Sequence, residues 1–454
     1  MNHISNTHQE ESGGLRAVMI DTAVLGCGWT GILLSNKYAK FSSVLCIDGA
    51  EKLGGLLRTE VVDGFTIDVG GSHVIFSRDR GVLDKMLNFL SGNVVEHERK
   101  SYVQLNGVFI PYPFENGLYV LPPEERAEAL ASLIEALLSL DKSWMPKNLE
   151  EWIYGFFGSY IAKRYLIPYN RKIWKRPLDE IDVDWVYTPG RLPIPNWRDV
   201  VRSAIGIPTQ GYLEQAKFYY PLKGGIQALY SAVYERVANE GVALVKNNRV
   251  ESIKITLDGF LINEKIRAKR ILNTIPLPSL IESLSGSIYD DLKQYVRDFD
   301  YNSLITVAVA LDKSAPPHHW IYVPNEDVIF HRYSWLNNYS VYNTPSGKSL
   351  ILAEITIPPS KSVDIASISE KTVLDLERLG VVEGEDVIFV KAWMYEYAYP
   401  IHRIGLNSVR KYVLDYLLKK VGIASLGRWG SWRYMNTDAI VREVERLNYK
   451  HIGE

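Results

Sequence analysis

The chain has 454 residues, 46% of them hydrophobic and 23% charged, with a formal net charge of −2. That length exceeds one simple core and predicts two or three domains. The near-neutral charge excludes a global pull toward nucleic acid or an anionic membrane, so any anion site must be local. No apolar run approaches the roughly 18 residues that span a bilayer, and residues 1–15 are polar, without the apolar centre of a signal peptide. They read as a disordered N-terminal tail, and the protein as cytoplasmic with no stable membrane insertion. The cysteines, Cys27 and Cys46, read as thiols of a reducing compartment rather than a disulfide framework.

After the tail comes a strand–turn–helix pattern. Apolar runs Ala17–Ile20 and Ala23–Leu25 lead into Gly26-Cys-Gly28-Trp-Thr-Gly31. Such a turn points the next helix's free N–H groups and dipole at whatever lies above it, which favours a phosphate. The first glycine makes the tight turn, the second admits a pyrophosphate, and the third lets helix pack on strand. A second apolar strand, Val44–Ile47, ends in Asp48, at the spacing expected of a carboxylate that meets a ribose hydroxyl. The pattern predicts a dinucleotide site on Gly26, Gly28, Gly31 and Asp48.

The adjacent Gly54 and Gly55 let backbone come close to a ligand. Val61–Gly71 reads as a hairpin with an Asp63-Gly64 turn, ending in a second glycine pair. Ser72 and His73 follow. This order resembles the FAD-binding amine oxidases, desaturases and mutases, and the resemblance selects FAD over NAD.

Pro122–Glu125 reads as a helix start. Leu130, Leu133, Ile134, Leu137 and Leu138 form one helical stripe, expected in the core or a domain interface. Asn148 to about Leu166 reads as a second, aromatic-rich helix. Pro168 is expected to break any helix between Tyr165 and Trp174. A strand pair near Ser101–Tyr112 is expected to join a sheet elsewhere. Gly224 and Gly225 introduce an amphipathic helix through Val237. Strands are expected at Val250–Ile255, Phe260–Ile262 and Arg270–Thr274. A second sheet is expected from Asn302–Leu311, Ile321–Val323 and Ser349–Thr356. Thr372–Leu379 and Ser408–Lys420 read as helices.

Several motifs, in order from about residue 17 to 445, resemble the UDP-galactopyranose mutase family, its eukaryotic type most of all. They are His73–Ser77, Pro111-Tyr-Pro-Phe114, Glu151-Trp-Ile, Pro168-Tyr-Asn170 with Trp174, Trp320-x-Tyr322-x-Pro324, Arg332, Asn338-Tyr339-Ser, Tyr399-Pro400 and Gly427-Arg428 through Tyr434. The resemblance implies an α/β protein: a Rossmann-like FAD-binding domain, an inserted helical substrate domain and an antiparallel β-sheet domain. The boundaries read as residues 17–82 with 220–275 and 400–445 for FAD, 83–200 for the UDP-binding helices, and 201–219 with 300–399 for the sheet.

It further implies a non-redox isomerase that interconverts UDP-galactopyranose and UDP-galactofuranose. The reduced flavin serves as nucleophile, through N5, at the anomeric carbon, and NADPH or NADH is the reductant. The partner is a UDP-sugar, and a homo-oligomer is compatible. Arg191 and Arg332 match the diphosphate arginines, where a planar fork gives bidentate geometry. Tyr322, Tyr339, Tyr399 and Tyr434 match tyrosines around diphosphate and sugar. Tyr165, Asn170 and Trp174 match the uracil pocket, and Tyr112 and Trp320 the substrate wall. His73 matches a histidine packed on the flavin; Gly71, Gly225 and Arg428 join the cofactor set. Asn436 and Gln215 match sugar contacts, with Gln215 where the family has Asn. Glu115 stands where the family often has Gln, and Ser72 is an extra residue before His73. Pro177–Gly190 and Gly206–Gly211 are candidate lids. Two alternatives stay open: a mutase for another UDP-hexose, and an FAD-dependent oxidase or desaturase of the amine or protoporphyrinogen oxidase type.

Overall fold

The computed structural model describes residues 19–141, 143–187, 194–209, 216–359 and 362–447. Strand Ile20–Leu25 pairs in parallel with Val44–Ile47 on one side and Ile266–Asn273 on the other. Ala243–Val245 and Ile423–Ser425 add further parallel strands, and the hairpin Ile253–Thr256/Gly259–Ile262 closes one edge antiparallel. Val44–Ile47 is buried throughout, as a parallel strand covered on both faces must be. Helix Trp29–Tyr38 crosses over this sheet and packs on helices Gln227–Asn239 and Thr437–Arg446. Three distant chain segments thus build one dinucleotide-type sheet.

A second seven-stranded sheet runs in the order Val387–Pro400, Tyr301–Leu311, Ser349–Ile357, Arg332–Trp335, Trp320–Tyr322, Ser101–Leu105, Val108–Pro111. The Ser101–Leu105 hairpin therefore joins this sheet, by parallel pairing with Trp320–Tyr322. Every residue of Ser349–Ile357 is buried, including Glu354, the one carboxylate in a mostly apolar central strand.

Helices Pro123–Ser139, Leu149–Ile161 (kinked at Gly158, φ 73°) and Ile167–Trp174 stand beside the second sheet. Two expectations change here. Pro168 does not break the helix. A π-helical turn over Ala162–Leu166 resets the hydrogen-bond ladder, and Pro168 falls in the first turn of the next segment, where its missing N–H is not needed. Of the five-residue stripe on Pro123–Ser139, Leu133 is buried and Leu130 half-buried but Ile134, Leu137 and Leu138 are exposed, so only two of the five face the core. The reading of the cysteines as free thiols is also corrected. The βαβ turn brings Cys27 beside Cys46, with Cα atoms 6.0 Å apart, and the two are paired as a disulfide. No described helix is long and apolar enough to cross a membrane.

Gly31 shows why the turn needs its third glycine. A Cβ there would lie 1.8 Å from the Gly26 carbonyl oxygen. Gly31→Ala is expected to destabilise the fold by roughly 2–3 kcal/mol, read as a lower urea midpoint at unchanged slope. An unchanged midpoint would contradict the packing account.

Candidate active site

Above the first sheet, the Gly26 N–H donates to the Ile47 carbonyl (2.7 Å), which holds the turn on the second strand. Gly28 is the N-cap of helix Trp29–Tyr38 and has no side chain to cap it. A Cβ on Gly28 would meet only the Gly55 Cα, at 3.9 Å, and one on Gly55 only the Gly28 Cα, at 3.4 Å. The two backbones thus face each other across an open cradle beside uncapped helix N–H groups. Asp48 accepts from the N–H groups of Cys27 (2.7 Å) and Ala50 (2.8 Å). Each carboxylate oxygen keeps a lone pair for a hydroxyl. Gly54 lies in the same stretch with φ of 122°. Gly225, by contrast, is packed against Thr59 and Asp68: a Cβ there would lie 2.5 Å from the Thr59 methyl. This arrangement fits a dinucleotide such as FAD.

The cradle leads toward a deep cavity lined on one side by Leu56, Gly70, Gly71, Ser72 and His73, and on the other by Arg428, Asn436 and Thr437. His73 Nε2 is buried with no partner among the described residues. Burial first, and then the Arg428 charge, push its pKa down to about 4, so a neutral imidazole faces the cavity at pH 7. Arg428 is fixed by backbone carbonyls: Nε and Nη2 donate to Met435 (3.0 and 2.6 Å), Nη1 to Ala398 (3.2 Å). Its guanidinium lies 4.8 Å from the Tyr434 ring. A buried edge donor or acceptor on one wall and a fixed cation on the other suit a flavin ring.

The far end of the cavity holds the substrate-type residues. Arg332 sits opposite Glu354 in the strand register. Its Nη2 donates to Glu354 Oε2 at 2.8 Å, with the Arg332 side chain 22% exposed and that of Glu354 1%. Arg332 Nε is buried without a partner, so part of the fork is held and part is left for a ligand. Burial opposes both charges. For Arg332 the neighbouring Glu354 outweighs it and raises the pKa further; for Glu354 the Arg332 charge brings the carboxyl down to about 2. Tyr322 accepts at its hydroxyl from Arg99 Nη2 (3.2 Å) and Trp320 Nε1 (2.9 Å). With both lone pairs used, its own proton is the group left to donate. Arg99 is stacked between Tyr112 (4.3 Å) and Trp320 (4.7 Å). Tyr399 and Tyr434 stack at 6.1 Å.

Tyr165 stacks on Phe114 at 5.3 Å. Asn170 Oδ1 accepts from Trp174 Nε1 (3.1 Å), and its amide donates to the Leu166 carbonyl (2.8 Å). Asn170 therefore fixes the Trp174 ring, and one amide N–H remains. Tyr165, Asn170, Trp174, Tyr112, Trp320, Tyr322, Arg332, Tyr399, Tyr434, Asn436, Gly71, His73 and Arg428 share one cavity. Tyr339 does not line it: it is fully buried behind the wall, beside Phe218, Tyr220 and Trp320. Arg191 and Gln215 lie outside the described residues, as do 188–190 and 210–211 of the two candidate lids. The structure adds Arg99, Tyr169, His331 and Glu354 to the cavity wall. Two of these carry a sequence signal: Tyr169 lies inside the Pro168-Tyr-Asn170 motif, and Glu354 is a lone carboxylate in a strand otherwise apolar but for Ser349 and Thr356.

No family model matches the chain. A protein of Methanothermococcus thermolithotrophicus, an uncharacterized protein in the nifH2 3′ region, is 35% identical over 65 residues. That match covers 14% of this chain, which spans 63% of that protein's length. The crystal structure of a reduced UDP-galactopyranose mutase superposes with a TM-score of 0.86 at 25% identity, covering 94% of each chain. The fold is UDP-galactopyranose mutase-like. Cyclohexylamine oxidase from Brevibacterium oxydans IH-35A matches at TM-score 0.64 and 14% identity over 94% of this chain and 98% of that one. A putrescine oxidase double mutant matches at 0.60 and 15% over 96% and 100%. These two show the shared amine oxidase-like fold alone.

Two outcomes follow from the geometry. Gly28→Ala adds its methyl to open space, so folding stability is expected to stay within about 0.5 kcal/mol while yellow flavin is lost on gel filtration. Retention of full flavin absorbance would contradict the cradle. The second concerns acid. Burial, named first in every case, pushes His73 down to about 4 and His319, His331 and His402 to about 3. Between about pH 4 and 6.5 the unfolded chain binds protons that these imidazoles refuse when folded, so stability falls as pH falls. Asp68, pushed up to about 6 by burial, and Asp182 and Glu443, also raised by burial, act oppositely, three carboxylates against four imidazoles. The melting temperature is expected to drop from pH 7 to pH 5; a flat or rising profile would contradict this.

Proposed function

We propose that this chain is a flavin-dependent UDP-galactopyranose mutase, with UDP-galactose as substrate and NADPH or NADH as reductant. The observation that carries the reading is Arg332: a guanidinium half-held by a buried carboxylate, with Nε left unpartnered in a tyrosine-lined cavity. Oxidation of an amine or a porphyrinogen does not call for a fixed cation there; release of a nucleoside diphosphate does. The match to a UDP-galactopyranose mutase across 94% of the chain supports the same reading.

Bound and reduced, the flavin supplies a nucleophilic nitrogen at the sugar's anomeric carbon. This chain's residues do the rest. Arg332 neutralises the diphosphate, and its contact strengthens as negative charge collects on the leaving UDP. Tyr322 donates its free proton to a phosphate oxygen. Tyr399 and Tyr434 cover the sugar and exclude water. Trp174, fixed by Asn170, and Tyr165 form the flat surface for the base. Arg428 keeps a fixed positive charge beside the ring, and neutral His73 offers Nε2 to it. Arg191 and Gln215 keep their proposed diphosphate and sugar roles, and the three-part division of the chain is proposed with them.

Product analysis tests this. Purified protein is incubated with UDP-galactopyranose, with and without dithionite, and the sugar nucleotides are separated. A UDP-galactofuranose peak confined to the reduced sample is expected. Equal product without reduction would rule the mechanism out. No furanose with UDP still bound would move the reading to another UDP-hexose, and no furanose without UDP binding would return it to an oxidase. Arg332→Lys, which keeps a cation for Glu354 but loses the planar fork, is expected to keep its flavin spectrum and lose on the order of 10²–10³ in kcat; full activity would remove Arg332 from the site.

A further inference from the structure

His331 lines the cavity next to Arg332 and is 2% exposed. Its backbone is pinned between two strands: the N–H donates to the Glu354 carbonyl (3.0 Å), and the carbonyl accepts from the Val323 N–H (2.9 Å). Lys172 ties helix Ile167–Trp174 to the same turn, with Nζ donating to the carbonyls of Val323 (2.9 Å) and Asn325 (2.7 Å). That helix carries Tyr169, whose ring meets the imidazole edge-on at 6.2 Å, and Tyr399 does so at 6.3 Å. The imidazole is therefore held in place by parts of the fold that are themselves fixed.

An aromatic socket of this kind would hold a phenyl ring as well as an imidazole, so packing does not account for the two nitrogens. Nδ1 is enclosed with no partner among the described residues. The nearby carboxylate is already spent. Glu354 Oε1 accepts from the Ser72 N–H (3.1 Å) and hydroxyl (2.7 Å), and Oε2 accepts from Arg332 Nη2 (2.8 Å). Burial pushes the His331 pKa down to about 3, so at pH 7 the ring is neutral and carries one N–H. With Nδ1 enclosed, Nε2 is the nitrogen that can face the cavity, and a proton there can reach a ligand. A buried polar group without a partner is costly, and a native fold keeps one where something else fills it. The charges around the ring say what that is. Arg332, Lys172 and Lys175 all oppose a further proton on it, against Glu354 alone among the carboxylates felt there. A site with that balance attracts an anionic oxygen.

Resting on the mutase reading, we infer that His331 is a further diphosphate contact, donating from Nε2 to a phosphate oxygen beside Arg332. Tyr169 lies edge-on to Tyr322 at 5.4 Å, which puts the imidazole on the same wall as the phenol that donates to phosphate. Arg332 supplies the charge, and His331 supplies a neutral donor from a second point. Two donors at separate points fix the rotation of the diphosphate as well as its place. A neutral donor does so without burying a second cation.

The test measures dissociation constants for uridine, UDP and UDP-galactose on the oxidised, flavin-loaded protein, with weak ligands read by competition. His331→Phe keeps a ring in the socket and loses the donor. It is expected to weaken UDP and UDP-galactose by the same factor, at least about tenfold, and to leave uridine within about twofold. His331→Gln sets an amide N–H near the position of Nε2 and is expected to bring both back to within about threefold of native. His331→Asn, whose amide stops a bond short, is expected to behave as the Phe variant and stands in for it if that protein does not retain flavin. Equal weakening of uridine would assign the ring to the nucleoside, and weakening of UDP-galactose alone would assign it to the sugar; either result overturns the diphosphate contact. So does unchanged binding in the Phe and Asn variants. All three leave the mutase reading in place. Failure of the native protein to bind UDP overturns that reading and the contact together.

Discussion

The pair of half-buried Arg332 and fully buried Glu354 is the constraint on which the site depends. An unpaired carboxylate at the depth of Glu354 would be strongly disfavoured. The antiparallel register sets Arg332 directly opposite Glu354, and the pair holds the arginine in one orientation. From that fixed point the rest of the wall follows. The strand that carries Arg332 also pairs with Trp320–Tyr322, which brings Trp320 and Tyr322 alongside, and Arg99 closes over them by stacking and a hydrogen bond. A cationic patch can face an apolar cavity only because each charge already has part of its field answered.

The first sheet solves a different problem. It must bring backbone close to a dinucleotide without side chains in the way. Gly28 and Gly55 face each other with open space between, while Gly31 exists for packing alone. Similar-looking glycines therefore do different work. Gly225 belongs with Gly31, since it is pressed against Thr59 and Asp68. The Cys27–Cys46 disulfide lies in the same turn, where the βαβ geometry brings two residues 19 apart into contact.

The amine oxidase-like fold supports several chemistries, so the fold alone does not choose among them. What separates the readings is the far end of the cavity. Oxidases sharing this architecture match at 14–15% identity, and the mutase at 25% over the same span. The geometry adds an argument that identity cannot: a tyrosine whose lone pairs are both filled and an arginine with free donors together ask for an anionic acceptor.

The turn and the membership of the cavity were legible in the sequence as local pattern. The Gly26–Gly31 turn and Asp48 form one local unit, and the short motifs around His73, Arg332 and Tyr434 name residues that the fold gathers on one cavity. The sequence could not show Pro168 inside a continuing helical path, because a π-turn five residues long has no periodic signature of its own. Nor could it pair the cysteines. Tertiary structure alone decided which distant groups meet: Ser72 with Glu354, Glu354 with Arg332, Arg99 with Tyr112 and Trp320, and the withdrawal of Tyr339 behind the wall. Those contacts are set by strand register and sheet order, which come from burying whole faces at once, and no single stretch of chain carries that information.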